Sequence, residues 1–264
     1  MARLPVVYLP HGGGPWPFVS LGQPPGEVAA MRTYLEGLPA EAEGAKALLL
    51  VSAHWEASVP TVMTHPAPPM LFDYSGFPPA AYGLSWPAPG SPTLAARVQA
   101  LLGAAGILSA ADPARGFDHG AFVPMMLSWP RADLPAIQLS LKRGLDPAEH
   151  LAIGRALAPL REEGVFILGS GSSFHNMQLF GDPRGANVAA TFDGWLAESV
   201  PLPAPERDAR LRAWATAPAG RLAHPREEHL LPLMVVAGAA GEDRGRLGWG
   251  GPFMGTQMSA WHFG

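Results

Sequence analysis

Val165-Phe166-Ile167-Leu168-Gly169-Ser170-Gly171-Ser172-Ser173-Phe174-His175-Asn176 sets an uninterrupted apolar run against a turn of small residues that ends in a histidine. An apolar run without polar alternation reads as a strand buried on both faces, the habit of a parallel sheet. Val6 to Leu9, Ala47 to Val51 and Ala136 to Leu139 share the pattern, each bounded by Gly, Pro, Ser or charge. Helical spacing recurs in Glu27 to Leu38, Pro92 to Leu102, Pro147 to Leu160, Val188 to Val200 and Pro205 to Trp214. Pro92, Pro147 and Pro205 fall where a first-turn proline is tolerated, and Ser91 and Asp146 are placed to cap. The alternation predicts an α/β fold: a single layered domain over residues 1–264 with a mostly parallel central sheet flanked by helices. Open sheets of this kind bind ligands beyond the carboxyl ends of their strands, where we expect the active site.

Composition narrows the partners. The chain is 48% hydrophobic and only 15% charged, against about 25% charged in typical domains, so it can bury a large core. Its net charge is −4 and it has no basic block, which argues against nucleic acid and anionic membranes and for a small neutral or polar substrate. The absence of cysteine excludes a disulfide scaffold, a thiolate zinc site and a cysteine nucleophile, leaving His, Asp or Glu for any metal. Val6 to Leu9 is too short for the apolar part of a signal peptide. Ala47 to Val51 and Leu230 to Ala237 fall well short of the roughly 20 residues that span a bilayer, so a cytoplasmic protein is expected. The stretch from Pro66 to Pro92, rich in Pro, Gly and aromatic residues (Phe72, Tyr74, Phe77, Tyr82, Trp86), reads as an ordered loop covering something, a lid candidate.

Three of the strands are followed by histidine. His11 comes in Pro10-His11-Gly12-Gly13-Gly14-Pro15, where glycines let backbone approach a ligand, although no nucleotide-binding spacing is present. His54 closes the second strand in Val51-Ser52-Ala53-His54-Trp55, and His175 follows the small-residue turn quoted above. Singly, each has a plain structural reading as a turn or core histidine. Together they should converge on one sheet edge. Asp118-His119 precedes an apolar helix-like stretch, Phe122 to Leu127, for which Asp118 serves equally well as an N-terminal acid. In His224-Pro225-Arg226-Glu227-Glu228-His229-Leu230-Leu231-Pro232-Leu233 a helix is expected from Pro225, its acids in the first turn. Glu228 and His229 would then lie about 100° apart, so one of the two is the candidate ligand and Glu227 is surface. Ligands scattered along a chain depend on the finished fold, and such sites are more often catalytic than structural. His65, His150 and His262 lack comparable context and read as surface or packing residues.

Taken in order, Pro10-His11-Gly12-Gly13-Gly14-Pro15-Trp16, Val51-Ser52-Ala53-His54-Trp55, Gly76-Phe77-Pro78, Pro87-Ala88-Pro89-Gly90-Ser91-Pro92, Gly116-Phe117-Asp118-His119-Gly120, Gly171-Ser172-Ser173-Phe174-His175-Asn176 and Glu227-Glu228-His229-Leu230-Leu231-Pro232-Leu233 resemble the class III extradiol ring-cleavage dioxygenases. Within that family the motifs look like the DOPA dioxygenase branch, from about residue 6 to residue 236. The resemblance implies that His11, His54 and His229 hold a catalytic metal, Fe(II) with Zn(II) as the alternative, while Glu228 is the lesser candidate for the third position. It implies His175 as the acid/base histidine, which also reaches the metal when no substrate is bound, and His119 as a second substrate-side histidine. The implied partners are a small aromatic diol and O2, with extradiol cleavage to a muconic semialdehyde. The family often carries Ser where Gly13 stands and Tyr-Pro-Ala-Pro-Gly where this chain has Trp86-Pro87, departures expected near the substrate entrance. Two other readings stand beside this one: a zinc-dependent hydrolase, and a non-catalytic metal-binding member of the same fold. Serine hydrolysis is disfavoured because Gly169-Ser170-Gly171-Ser172 lacks the spacing of a nucleophile elbow.

Overall fold

A computed structural model describes residues 3–264; Met1 and Ala2, at the head of the N-terminal stretch read above, lie outside the described residues. Eight strands form one sheet: β1 (Val6–Pro10), β2 (Ala47–Ala57), β3 (Thr61–Met63), β4 (Ala110–Asp112), β5 (Ala136–Lys142), β6 (Val165–Gly171), β7 (Gly245–Phe253) and β8 (Thr256–Phe263). Their spatial order is β4-β3-β5-β2-β6-β1-β8-β7. The four strands read from the sequence, β5, β2, β6 and β1, are neighbours and run parallel. β3 joins β5 antiparallel and pairs parallel with β4, while β8 and β7 continue antiparallel beyond β1. The fold is thus the expected α/β arrangement, a mixed, mostly parallel sheet with flanking helices.

The helices are α1 (Pro25–Gly37), α2 (Pro92–Ala104), α3 (His119–Ser128), α4 (Pro147–Leu157), α5 (Pro183–Ser199), α6 (Ala204–Arg212), α7 (Gly220–Ala223) and α8 (Leu231–Ala240). Ser91 and Asp146 cap α2 and α4, accepting backbone N–H bonds from Leu94 and from Ala148 and Glu149. Asp118 is the N-cap of α3 and accepts from Ala121. Two expectations are corrected. No helix starts at Pro225: residues 225–230 form turns and α8 begins at Leu231, because the Pro232 ring fits a first turn while Glu227 and Glu228 are held by side-chain partners outside any helix. The second strand does not end at His54. It runs to Ala57 with its register against β5 shifted between Val51 and Glu56, so His54 lies within an irregular stretch of strand, where bulges re-aim side chains.

β6 shows how the layers are held apart. Alternate residues of a strand face opposite sides. Ser170 faces α3, its hydroxyl donating to the Gly120 carbonyl. Gly169 and Gly171 face the other layer, where a Cβ on Gly169 would stand 2.6 Å from the Pro232 carbonyl oxygen. α8 packs there on β6, β1 and β2, every one of its residues buried, with α4 against it. Backbone approach between these two helices is close: a Cβ on Gly238 would lie 2.2 Å from the Leu151 carbonyl oxygen, and one on Gly154 would lie 2.0 Å from that of Val235. Among the described residues no helix is long and apolar enough to cross a membrane. Overpacking a close crossing costs about 1–3 kcal/mol. Gly238→Ala should therefore lower the melting temperature by several degrees in a thermal denaturation experiment, given roughly 2–4 °C per kcal/mol for a chain of this size, while an exposed control such as Gly26→Ala leaves it unchanged.

Candidate metal and substrate site

His11 follows β1, His54 sits in the irregular part of β2, His175 lies four residues past β6 and His229 two residues before α8. The structure brings all four together, with His119 from the first turn of α3. One nitrogen each from His11, His54 and His229 lies within 4.8 Å of the others. Nε2 of His11 and Nε2 of His54 are 3.0 Å apart. His175 stacks on His229 with ring centroids 3.3 Å apart, and His119 lies against His54 at 3.9 Å.

Each imidazole is turned by a group behind it. Ser170 spends its hydroxyl hydrogen on Gly120, so it accepts from Nδ1 of His11 at 3.0 Å and leaves that ring's Nε2 bare. Oε1 of Glu228 accepts from Nδ1 of His229 at 2.9 Å and lies 3.3 Å from Nδ1 of His175. One carboxylate oxygen thereby faces two rings. Asp73 accepts from the backbone N–H and Nδ1 of His119 at 2.9 and 2.8 Å, and its other oxygen is 3.5 Å from Nδ1 of His54. Such partners fix tautomer and direction, as they do behind metal-bound histidines.

Burial disfavours the charged form of three of the rings. Burial, reinforced by neighbouring imidazoles, pushes His11 and His229 well below the usual histidine range, and burial with His119 alongside takes His54 down to about 4. Burial pushes Glu228 up, but the hydrogen bonds from His175 and His229 outweigh it and hold the carboxyl well below its usual range. Ring nitrogens of two histidines 3.0 Å apart, with a third within 4.8 Å, suit a cation. Two adjacent ligands about 2.1 Å from one ion are themselves about 3.0 Å apart, so the residues present fit a metal ion.

The backbone of His229 is fixed as firmly as its ring. Its carbonyl accepts from Oη of Tyr8 at 2.9 Å and from the Ser172 N–H at 3.0 Å, and it lies directly over Gly171, where a Cβ would come within 2.1 Å. Asp118 takes the plain reading: fully buried, it accepts from Ser52, Arg115 and Gln138 as well as capping α3, so it ties β2 to α3. Ser170 is likewise committed and offers no nucleophile. Beside the cluster, a cavity of about 480 Å³ is lined by residues that include Gly12, Gly13, Phe77, Ser172 and His175. Phe77 thus brings the Pro66 to Pro92 loop to the site, and Gly13 is at the cavity as expected. Trp86 is not. It is 1% exposed, packs on Phe117 and donates to the Trp129 carbonyl, because its large ring is needed in the core.

Sequence reading missed Asp73, Ser170, Ser52 and His224 as parts of the surround. His224 is fully buried, donates from Nε2 to the Ser173 carbonyl and is held down to about 3 by burial. Asp73, an acid between Phe72 and Tyr74 in the aromatic loop, was the one with a visible signal. His150 and His262 prove to be packing residues, both buried, and His65 accepts from the Ala67 N–H in a turn.

Comparison with known proteins gives this geometry a family. The family model described as the catalytic LigB subunit of aromatic ring-opening dioxygenase matches residues 31–255, which include His54, His119, His175 and His229. The chain belongs to this family and is an extradiol aromatic ring-opening dioxygenase. It is 44% identical over 203 residues to a Beta vulgaris protein named 4,5-DOPA dioxygenase extradiol, covering 75% of this chain and 74% of that one. An Escherichia coli K12 protein of the same name is 36% identical over 197 residues, 74% of this chain and 72% of that one. Dioxygenase tasH of Hapsidospora irregularis is 35% identical over 283 residues, covering all of this chain and 86% of that one. A crystal structure of an uncharacterized Escherichia coli K12 protein superimposes with a TM-score of 0.81 at 29% identity, covering 99% of this chain and 100% of that one.

Because Gly171 makes room for the His229 carbonyl, Gly171→Ala should displace that ring without touching a nitrogen of the site. Outer partners of metal sites are typically worth about 10–100-fold in affinity. Metal titration of the variant should show a loss of that order with the fold retained by circular dichroism.

Proposed function

We propose that this chain is a non-haem iron dioxygenase that inserts both atoms of O2 into a catechol-type, 3,4-dihydroxyphenyl substrate and opens the ring beside the diol to give a muconic semialdehyde. The convergence of His11, His54 and His229, two buried and one half-buried, beside a cavity lined by His175 carries this reading. The relatives named 4,5-DOPA dioxygenase extradiol support the substrate class. Residues 1–264 act in this reading as one catalytic unit.

His11, His54 and His229 would hold the ion, Fe(II) in the working enzyme and Zn(II) as the alternative occupant. When bound, a ferrous ion supplies the electron path from diol to dioxygen and makes the diol hydroxyls more acidic. The protein's own groups do the rest. His175, with Nδ1 directed at Glu228, has Nε2 on the opposite edge of its ring, where it takes a phenolic proton and later returns it. His119, oriented by Asp73, is the second imidazole on the substrate side. The apolar cavity wall holds the flat ring and excludes water from the reaction. The balance closes without a further reductant: one diol and one O2 become one ring-opened product carrying all four oxygens.

Anaerobic loading with Fe(II), followed by oxygen and a panel of catechols, should give stoichiometric oxygen uptake and a yellow product. Tight metal binding with no uptake on any catechol would overturn the proposal. His11→Ala, His54→Ala and His229→Ala should lose bound metal and turnover together. His175→Ala should retain metal while kcat falls about 10²–10⁴-fold. His229→Ala should cost more metal than Glu228→Ala, and the reverse order would move the ligand role to Glu228.

A further inference from the structure

The cavity beside His175 has walls that ring opening by itself does not require. Three methionines, Met177, Met254 and Met258, and three phenylalanines, Phe77, Phe180 and Phe253, make up half of the lining residues. Among the lining residues there is no Lys, Arg, Asp or Glu. Besides His175 the polar side chain is Ser172, whose hydroxyl donates to the Phe174 carbonyl at 2.6 Å and is therefore spent. The arginines around the histidine cluster are also committed: Arg115 to Asp118, and Arg226 to Glu56 and Glu228. Past Leu21 and Met254, which wall both spaces, an adjoining hollow contains Glu27, a charge that repels a carboxylate.

The volume of about 480 Å³ lies within the roughly 300–1,000 Å³ of cavities that enclose ligands larger than a single ring. There is room for a ring substituent, and the wall that would meet it is apolar. Burying a carboxylate without a partner is strongly unfavourable, whereas each methylene moved out of water is favourable. Methionine suits such a wall because its flexible thioether adapts to the shape it covers. Met177 is 72% exposed at the rim.

We propose that the substrate is a catechol whose ring substituent is uncharged and apolar, an alkyl or aryl group without a carboxylate, gripped by Met177, Met254 and Met258. The inference rests on the ring-opening reading above and sharpens it, since DOPA carries both a carboxylate and an ammonium group. It names a specificity element, the methionine-lined wall, distinct from the imidazoles that bind and move protons.

Two probes of nearly equal length separate the possibilities: 4-propylcatechol and 3-(3,4-dihydroxyphenyl)propionate, with L-DOPA as a third. Binding is measured by titration calorimetry on the zinc-loaded protein, and kcat/KM on the iron-loaded enzyme. The neutral probe should bind at least about tenfold more tightly than either carboxylate, and kcat/KM should follow the same order. Met177→Arg, at an exposed position, should shift the ratio toward the propionate by about tenfold, while Met177→Leu keeps the wild-type preference. Equal or tighter binding of the propionate or of L-DOPA by the wild type would overturn the proposal, and an unchanged ratio in Met177→Arg would overturn the place given to Met177. If no catechol is turned over but the binding preference holds, ring opening fails and the apolar cavity assignment stands.

Discussion

Nε2 of His11 and Nε2 of His54 face each other at 3.0 Å in a buried site, and the fold around them is organised to hold that approach. A proton on one of the two nitrogens makes the pair a hydrogen bond, and a cation held between them takes its place. Burial holds His11 and His229 far below the usual histidine range, which favours the neutral rings that a metal ion requires. β1 is buried throughout and β2 as far as Ala53, and Gly171 stands where a Cβ would strike the His229 carbonyl.

Groups behind the rings carry as much of the design as the rings do. Ser170 sets His11, Glu228 sets His229 and faces His175, and Asp73 sets His119 and approaches His54. The acids need compensation of their own. Asp118 is fully buried and would be costly without Arg115, Gln138 and Ser52. Ser52 also accepts from the backbone N–H of His54, so the network around Asp118 fixes the irregular strand that carries His54. Loss of any one partner should be felt at the histidine cluster.

The parallel centre of the sheet was legible because Val6 to Leu9, Ala47 to Val51, Ala136 to Leu139 and Val165 to Leu168 are apolar without alternation, which fully covered strands require. The outer strands were not. β3 and β4 have three residues each, and β7 begins Gly245-Arg246-Leu247-Gly248, a poor strand composition overridden by pairing with β8. Caps were legible at Ser91, Asp118 and Asp146, where one side chain meets one helix end. The turn before α8 was misread because Pro225 followed by two acids imitates a helix start, whereas Glu227 pairs with Arg221 and Glu228 faces two histidines. The five histidines could be picked out by their positions after apolar runs and by their motifs. Ser170 could not, since its importance lies in contacts made with His11 and Gly120, far away in the chain, and Asp73 showed only as an acid set among aromatic residues.

Anomalous diffraction at the iron edge, from crystals loaded anaerobically with Fe(II), tests the central claim most directly. A single strong peak at about 2.1 Å from one ring nitrogen each of His11, His54 and His229 is predicted, a distance typical of imidazole ligands. A peak seated instead on the Glu228 carboxylate, or between Asp73 and His119 and away from His11, would contradict the account.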